Sequence, residues 1–199
     1  MFSVEGNLQL LNVDIDYVQE LYRADNEVQF NASNYERKKY LGLLICNGET
    51  KYVIPLSSAK LKYKNLDNYG QAHILINEES DREDMHKNDV WIDKVDGKGN
   101  PTGKVKHILS IILFKKMIPV KDGVYSIVDF RLSDDDTDEE RNYKNLLNKE
   151  YGFCVANTDK IVSRANKVYD KQMKTGFVEY KCCNFALLES VMKSYQVQK

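Results

Sequence analysis

The chain has 199 residues, 42% of them hydrophobic, and a formal net charge of −1 from 29 Lys and Arg against 30 Asp and Glu. That length suffices for one domain, residues 1–199, with a buried core and no covalent staples. No apolar run approaches a bilayer span, and the first residues carry neither a basic leader nor an apolar signal core, so a cytoplasmic protein with no membrane association is expected.

In chain order, residues 14 to 23 read as a short amphipathic helix, with Asp14 as N-cap and Tyr17, Val18, Leu21 and Tyr22 on one face. After a polar stretch, Tyr40, Leu41, Leu43, Leu44 and Ile45 form a buried-strand pattern. Asn47-Gly48 supplies the two positive-φ positions of a type I′ hairpin turn. The return strand, Lys51 to Ile54, is expected to end at Pro55, which has no N–H for a ladder. Ser57, Ser58 and Lys60 then emerge at the strand end, and Lys62 and Lys64 continue the charge at alternate positions. On an extended chain, that alternation puts the three lysines on one side.

Further on, His73 to Ile76, Ile108 to Phe114 and Val124 to Phe130 read as strands, with Gly97, Gly99 and Pro101 punctuating an acidic insertion at about 78–103 and Asp122-Gly123 marking a turn. Strands joined by short turns argue for an antiparallel sheet. The last third is helical. Asp138 to Tyr151 spaces Tyr143, Leu146, Leu147 and Tyr151 for a helix. Ile161, Val162, Ala165, Val168 and Tyr169 form an apolar face opposite a stripe of Lys160, Arg164, Lys167, Lys171 and Lys174; Gly176 ends that helix, and Asn184 caps a final one.

Charge is segregated along the chain. Between Glu36 and Lys64, Arg37, Lys38, Lys39, Lys51, Lys60, Lys62 and Lys64 face only Glu36 and Glu49, an excess of five positive charges that would attract a polyanion. The helical stripe is a second basic surface. Conversely, Glu78 to Asp96 holds eight acids and Asp134 to Glu140 six, and both stretches are expected to be exposed, partly mobile loops. The four cysteines lack CxxC spacing and the three histidines are scattered, which favours reduced thiols over a zinc or His-rich metal centre. No GxGxxG or Walker loop supports a nucleotide cofactor, so no cofactor is expected. Taken alone, Ser57 and Ser58 are turn residues and the lysines a solvated edge.

A resemblance gives the cluster a role. The segment KKYLGLLICNGETKYVIPLSSAKLKYKN, from Lys38 to Asn65, is similar to the core of the ToxN/AbiQ endoribonuclease toxins of type III toxin-antitoxin systems: a Gly-containing strand, a return ending in Pro-Leu, then hydroxyl-hydroxyl-x-Lys. Three more stretches fit in order: VDIDYVQELYRAD with Tyr17; ILSIILFKKMIPV with Met117, Ile118 and Pro119; and CCNFALLESVMKSY with Cys183, Asn184, Phe185, Leu187, Leu188 and Glu189. The chain departs from the pattern in its acidic insertion and at Ala59, where a proline is common.

The resemblance implies an α+β fold, a strongly twisted antiparallel sheet akin to a small ribonuclease-toxin barrel and surrounded by helices. It implies catalysis by Ser58 as proton donor or relay, with Lys60 stabilising the phosphorane, Ser57 beside them and Lys38 clamping phosphate. Such an enzyme, with no histidine in its cluster, is expected to cut RNA without metal, by 2′-hydroxyl attack. Tyr17, Lys39, Lys62, Lys64, Lys160, Arg164, Lys167 and Lys171 are the expected RNA contacts. Tyr17 also reads as a core aromatic. Implied partners are a repeated antitoxin RNA that folds into a pseudoknot, in assemblies of protein alternating with RNA, and cellular or phage RNA as substrate. Two alternatives differ in class: a non-catalytic RNA-binding module, and a serine penicillin-recognising enzyme built on Ser57-x-x-Lys60 and Lys174-Thr175-Gly176, which lacks a Ser-Asp-Asn element.

Overall fold

The computed structural model of the protein describes residues 1–4, 8–30, 40–48 and 50–197. In chain order these form β1 (Phe2–Ser3), β2 (Leu10–Val13), α1 (Ile15–Ala24), β3 (Tyr40–Asn47), β4 (Thr50–Ser58), β5 (His73–Asp81), β6 (Val90–Val95), β7 (Pro101–Leu113), β8 (Ile118–Val120), β9 (Tyr125–Ile127), α2 (Asp138–Ala156), α3 (Thr158–Thr175) and α4 (Phe185–Ser194). The architecture is α+β, with antiparallel pairing of its strands. The chain divides into two compact units, one of Met1–Leu56, Leu113–Asp129 and Asn157–Lys199, the other of Ser57–Ile112 and Phe130–Ala156.

In the first unit the strands run in the order β9-β2-β3-β4, with β1 also on β3 and β8 on β4. Both faces of these strands are covered here: Leu43 and Ile45 on β3, the adjacent Leu10 and Leu11 on β2, and the consecutive Tyr52, Val53 and Ile54 on β4 are all 1% exposed or less. Register puts Gly42 opposite Pro55. A Cβ on Gly42 would lie 2.3 Å from Val53 Cγ1 and 2.5 Å from the Ile54 carbonyl oxygen, so only glycine fits. The strand therefore runs through Pro55 to Ser58 rather than ending at the proline. The hairpin turn is also displaced by one residue from the expectation. Asn47 pairs with Thr50 as the last residue of β3, and the positive φ of 60° belongs to Gly48, while Asn47 is not among the residues with positive φ.

Three helices complete this unit. Asp14 caps α1 by accepting from the Tyr17 N–H at 3.1 Å, and Asn184 caps α4 by accepting from the Leu187 N–H at 3.1 Å. Gly176 ends α3 in the left-handed region at φ 68°. Phe2, Tyr52, Tyr169 and Phe185 form an aromatic cluster with ring centroids 5.0 to 6.1 Å apart, joining β1, β4, α3 and α4. Buried Gln172 ties α3 to the chain before α4: its amide nitrogen donates to the Cys183 carbonyl at 2.9 Å and its amide oxygen accepts from the Phe185 N–H at 2.7 Å.

In the second unit β7 lies between β5 and β6, and α2 packs on β5. Half of the acidic insertion belongs to these strands, which corrects the expectation of a mobile loop there. Three of its carboxylates are matched across the arm: Arg82 pairs with Asp93, Lys94 with Glu79, and Lys104 with Asp81 at 2.7 Å. Asp96 turns the chain from β6 to β7, accepting from the N–H groups of Lys98 and Asn100 at 2.8 and 2.9 Å. The second acidic run is likewise partly ordered structure, the start of α2. Thr137 and Glu140 form a reciprocal capping box, with bonds of 2.9 Å to the Thr137 N–H and 3.2 Å to the Glu140 N–H. Acids in that first turn favour the helix dipole.

A barrel needs every strand to have two neighbours. The strand path instead ends at β9 in the first unit and at β5 in the second, so it does not close into the expected barrel. All four cysteines are buried thiols outside any disulfide. Among the described residues, no helix is long and apolar enough to cross a membrane.

Candidate active site

Strand β4 ends at the hydroxyl pair. Ser58 is exposed and Ser57 half-buried, as the two-residue period of a strand requires when one face is covered. The Ala59 N–H then donates to the Leu109 carbonyl on β7 at 3.2 Å, which holds the backbone immediately after the serines. Lys60 is extended, at φ −136° and ψ 145°. Side chains two apart on extended backbone share a side, so Ser58 and Lys60 lie on one side of the chain and Ser57 faces away from them. Among the described residues, no hydrogen bond or ion pair engages the Ser58 hydroxyl or the Lys60 ammonium.

Beyond Lys60 the chain is not extended, which corrects the reading of three lysines on one side. The Tyr63 N–H donates to the Lys60 carbonyl at 2.8 Å and opens a 3-10 turn over Leu61–Asn65. A 3-10 turn advances about 120° per residue, so lysines two positions apart fan around it. Buried Tyr63, 6% exposed, anchors the turn. Lys62 Nζ lies 5.7 Å from the Tyr63 ring centroid and Lys64 Nζ 5.2 Å from that of Trp91 on β6. The Lys64–Trp91 contact was not foreseen; the face of Trp91 supports the Lys64 ammonium. Lys106 Nζ, 2.9 Å from Asn68 Oδ1, adds a further cation that sequence reasoning missed, because only strand pairing brings β7 beside residue 68.

The first unit carries the other candidates. Tyr17 is fully buried: its hydroxyl donates to the Pro119 carbonyl at 2.7 Å and its ring meets Tyr195 edge-on at 4.9 Å. Burial, and then Tyr195, push that hydroxyl far above the usual tyrosine range. Tyr17 is therefore the core aromatic of α1 and offers no face to a base. On α3, Ile161, Ala165, Tyr169 and Gln172 are buried, while Lys160, Lys167, Lys171 and Lys174 are exposed and Arg164 half-buried. The stripe is real, but part of its charge is engaged. Lys171 pairs with Glu179, Lys174 lies 3.7 Å from Asp170, and Lys160 donates to Asn157 Oδ1 at 3.1 Å. Lys38 and Lys39 lie outside the described residues.

Residues 9–193 match the family described as "Toxin ToxN, type III toxin-antitoxin system". The chain belongs to the ToxN toxin family. It is 23% identical over 199 residues to the endoribonuclease ToxN of Bacillus thuringiensis subsp. kurstaki, covering 96% of this chain and 86% of that protein. Among solved structures it is similar to a chain from work on type III toxin-antitoxin systems in which a non-coding RNA pseudoknot selectively inhibits the toxin. There the TM-score is 0.68 at 21% identity, with 96% of this chain and 98% of that one covered. It is also similar to AbiQ, a lactococcal anti-phage endoribonuclease of a type III system, with TM-score 0.60 at 18% identity and coverage of 94% and 97%.

Within this ToxN family member the resembling stretches have definite structural places. Met117, Ile118 and Pro119 enter β8, where Pro119 pairs with Tyr52 and accepts from Tyr17. The Leu-Leu-Glu of the last helix ends at Glu189, whose carboxylate accepts from Tyr52 and Tyr169. These contacts tie strands and helices of the first unit together. The penicillin-enzyme pattern dissolves: Ser57 lies within strand β4, not at the head of a helix, and Lys174-Thr175-Gly176 is the end and cap of α3.

Proposed function

We propose that the protein is an endoribonuclease toxin of a type III toxin-antitoxin system, acting as one catalytic unit over residues 1–199, and that Ser58 and Lys60 carry its chemistry. The observation that bears most weight is the pairing itself: an exposed hydroxyl and an exposed ammonium on one side of a fixed strand end, neither engaged by another described residue. On this reading the 2′-oxygen attacks the adjacent phosphorus while its proton leaves to a base. Lys60 stabilises the charge that develops on the non-bridging oxygens, and Ser58 delivers a proton to the departing 5′-oxygen. The products are a 2′,3′-cyclic phosphate and a 5′-hydroxyl, with no metal required. Ser57, facing away, steadies the strand end, and Lys38 is proposed as the phosphate clamp on resemblance.

Further cations extend the footprint, with exposed Lys62 and half-buried Lys64 beside the pair and Lys160, Arg164, Lys167 and Lys171 along α3 binding phosphates of longer RNA. Lys39 is included on its charge. The proposed ligands are a pseudoknot antitoxin RNA, processed by the toxin and then blocking it in an assembly of protein alternating with RNA, and cellular or phage RNA, whose cutting aborts infection. The proposed site of action is the cytoplasm.

The test is cleavage of an adenine-rich RNA in EDTA by wild type and Ser58→Ala, with product ends analysed. Metal-independent cutting to cyclic phosphate that disappears in the variant is expected. A folded wild type that binds the RNA and leaves it intact would make the protein a binding module instead.

A further inference from the structure

We propose that the turn following α3 is a base-stacking platform for unpaired RNA, formed by Phe177 and Tyr180 with Lys174 and Lys181 beside them. The inference rests on the RNA-directed function above and adds a binding site to it. Phe177 is 65% exposed and Tyr180 81% exposed. A single exposed apolar residue is ordinary, but two aromatics within four residues, on a turn that is held in place, are not explained by packing.

The turn is built to present them. Gly176 ends α3 in the left-handed region, and the Phe177 N–H donates to Thr175 Oγ1 at 3.2 Å, which sets the direction in which the chain leaves the helix. The Cys182 N–H donates to the Glu179 carbonyl at 3.0 Å, closing a four-residue turn with Tyr180 and Lys181 at its centre. Lys181 sits at φ 57°, a conformation that glycine adopts freely and a lysine rarely, and its Nζ lies 5.1 Å from the Tyr180 ring centroid. Fixed groups stand on either side. Glu179 is held by Lys115 at 2.7 Å and by Lys171, the Cys183 N–H donates to the Lys115 carbonyl at 2.8 Å, and Cys182 and Cys183 are buried. The aromatic faces are thus preorganised.

The flanking charge selects the occupant. Glu179 is consumed by two lysines, whereas Lys181 has no carboxylate partner among the described residues and Lys174 is exposed beyond a 3.7 Å approach to Asp170. Aromatic faces bordered by cations fit nucleobases joined by phosphates, and the cations continue the basic stripe of α3. Protein interfaces are depleted in lysine around their aromatic anchors, so the flanking lysines favour RNA over a protein partner.

The experiment uses a short adenine-rich RNA carrying 2-aminopurine and 2′-O-methyl groups throughout, so that it binds without being cut. Wild type is expected to quench the probe. Phe177→Leu with Tyr180→Leu keeps apolar area but removes the stacking faces, and should abolish the quench and weaken binding about tenfold, with the salt dependence unchanged. Trp at either position should restore the quench, and Lys181→Ala should lower the log–log salt slope by about one. An unchanged melting temperature shows the variants folded. Wild type binding with the double variant indistinguishable from it overturns the platform alone. Wild type failing to bind any RNA removes the platform together with the RNA-directed function. A double variant that alters self-association but not RNA affinity reassigns the turn to a protein contact.

Discussion

The Tyr52 hydroxyl on β4 donates to the Glu189 carboxylate on α4 at 2.6 Å, bridging residues 137 apart in sequence, and the Tyr169 hydroxyl on α3 donates to the same oxygen at 2.8 Å. Burial, then the bond to Glu189, hold both hydroxyls protonated, with Tyr169 pushed up to about 12. One carboxylate therefore locks a strand and two helices behind the aromatic cluster. Glu189→Ala leaves two donors with no acceptor and is expected to cost about 2 to 3 kcal/mol, while Glu189→Gln keeps an acceptor and costs less. Urea unfolding of the two variants checks this; equal losses would show that charge, not acceptance, is what matters.

Lys60 and Ser58 predict a graded pattern of activity. Lys60→Ala is expected to lower the single-turnover cleavage rate by roughly 10² to 10³, the usual loss on removing a group that stabilises developing charge. Lys60→Arg should recover part of it. Ser57→Ala, on the opposite side of the strand, should cost far less than Ser58→Ala, although the two hydroxyls are adjacent. Equal losses at both serines would contradict the facing deduced from the strand.

Much of the fold was legible in local signals. Asp14 with Tyr17, Val18 and Leu21 marks α1, and Gly176 and Asn184 mark the end of α3 and the start of α4, because caps and apolar spacing act within a few residues. What escaped was set at long range. Lys62 and Lys64 read as extended like Lys60, yet they lie in a 3-10 turn over Leu61–Asn65 that buries Tyr63. The acids of 78–96 read as a loop, since only β6–β7 pairing and the ion pairs across the arm reveal what balances them. Tyr17 was legible as both core and contact, and only the Pro119 and Tyr195 contacts decide for the core. The serine cluster was found through resemblance; nothing in its composition distinguishes it from a solvated strand end.

Gly42 tests the register of the central hairpin. With 2.3 Å to Val53 Cγ1 and 2.5 Å to the Ile54 oxygen, a methyl group there meets backbone that cannot rotate away. Gly42→Ala is expected to destabilise by about 3 kcal/mol or more, at the upper end of overpacking effects. Val53→Ala should relieve only the side-chain half of the clash, so the double variant is expected to remain well below wild type in thermal stability.

Glu150 on α2 predicts a pH dependence with a definite sign. It is 4% exposed, and burial pushes its carboxyl above the ordinary value of 4.5; Tyr143 and Cys154, both raised with Glu150 as a lesser contribution, share its surroundings. Below the ordinary carboxylate value the folded and unfolded chains both hold the proton, and the full stability is present. As pH rises past that value the unfolded chain ionises first, so stability falls until the raised folded value is passed, then levels off. Each unit of elevation corresponds to about 1.4 kcal/mol. Glu150→Gln keeps size and hydrogen-bonding capacity but cannot ionise. The stability of the variant relative to wild type should therefore grow between pH 4.5 and neutrality, as read from urea midpoints at several pH values. A difference that stays constant across that range would mean that Glu150 is ionised within the fold.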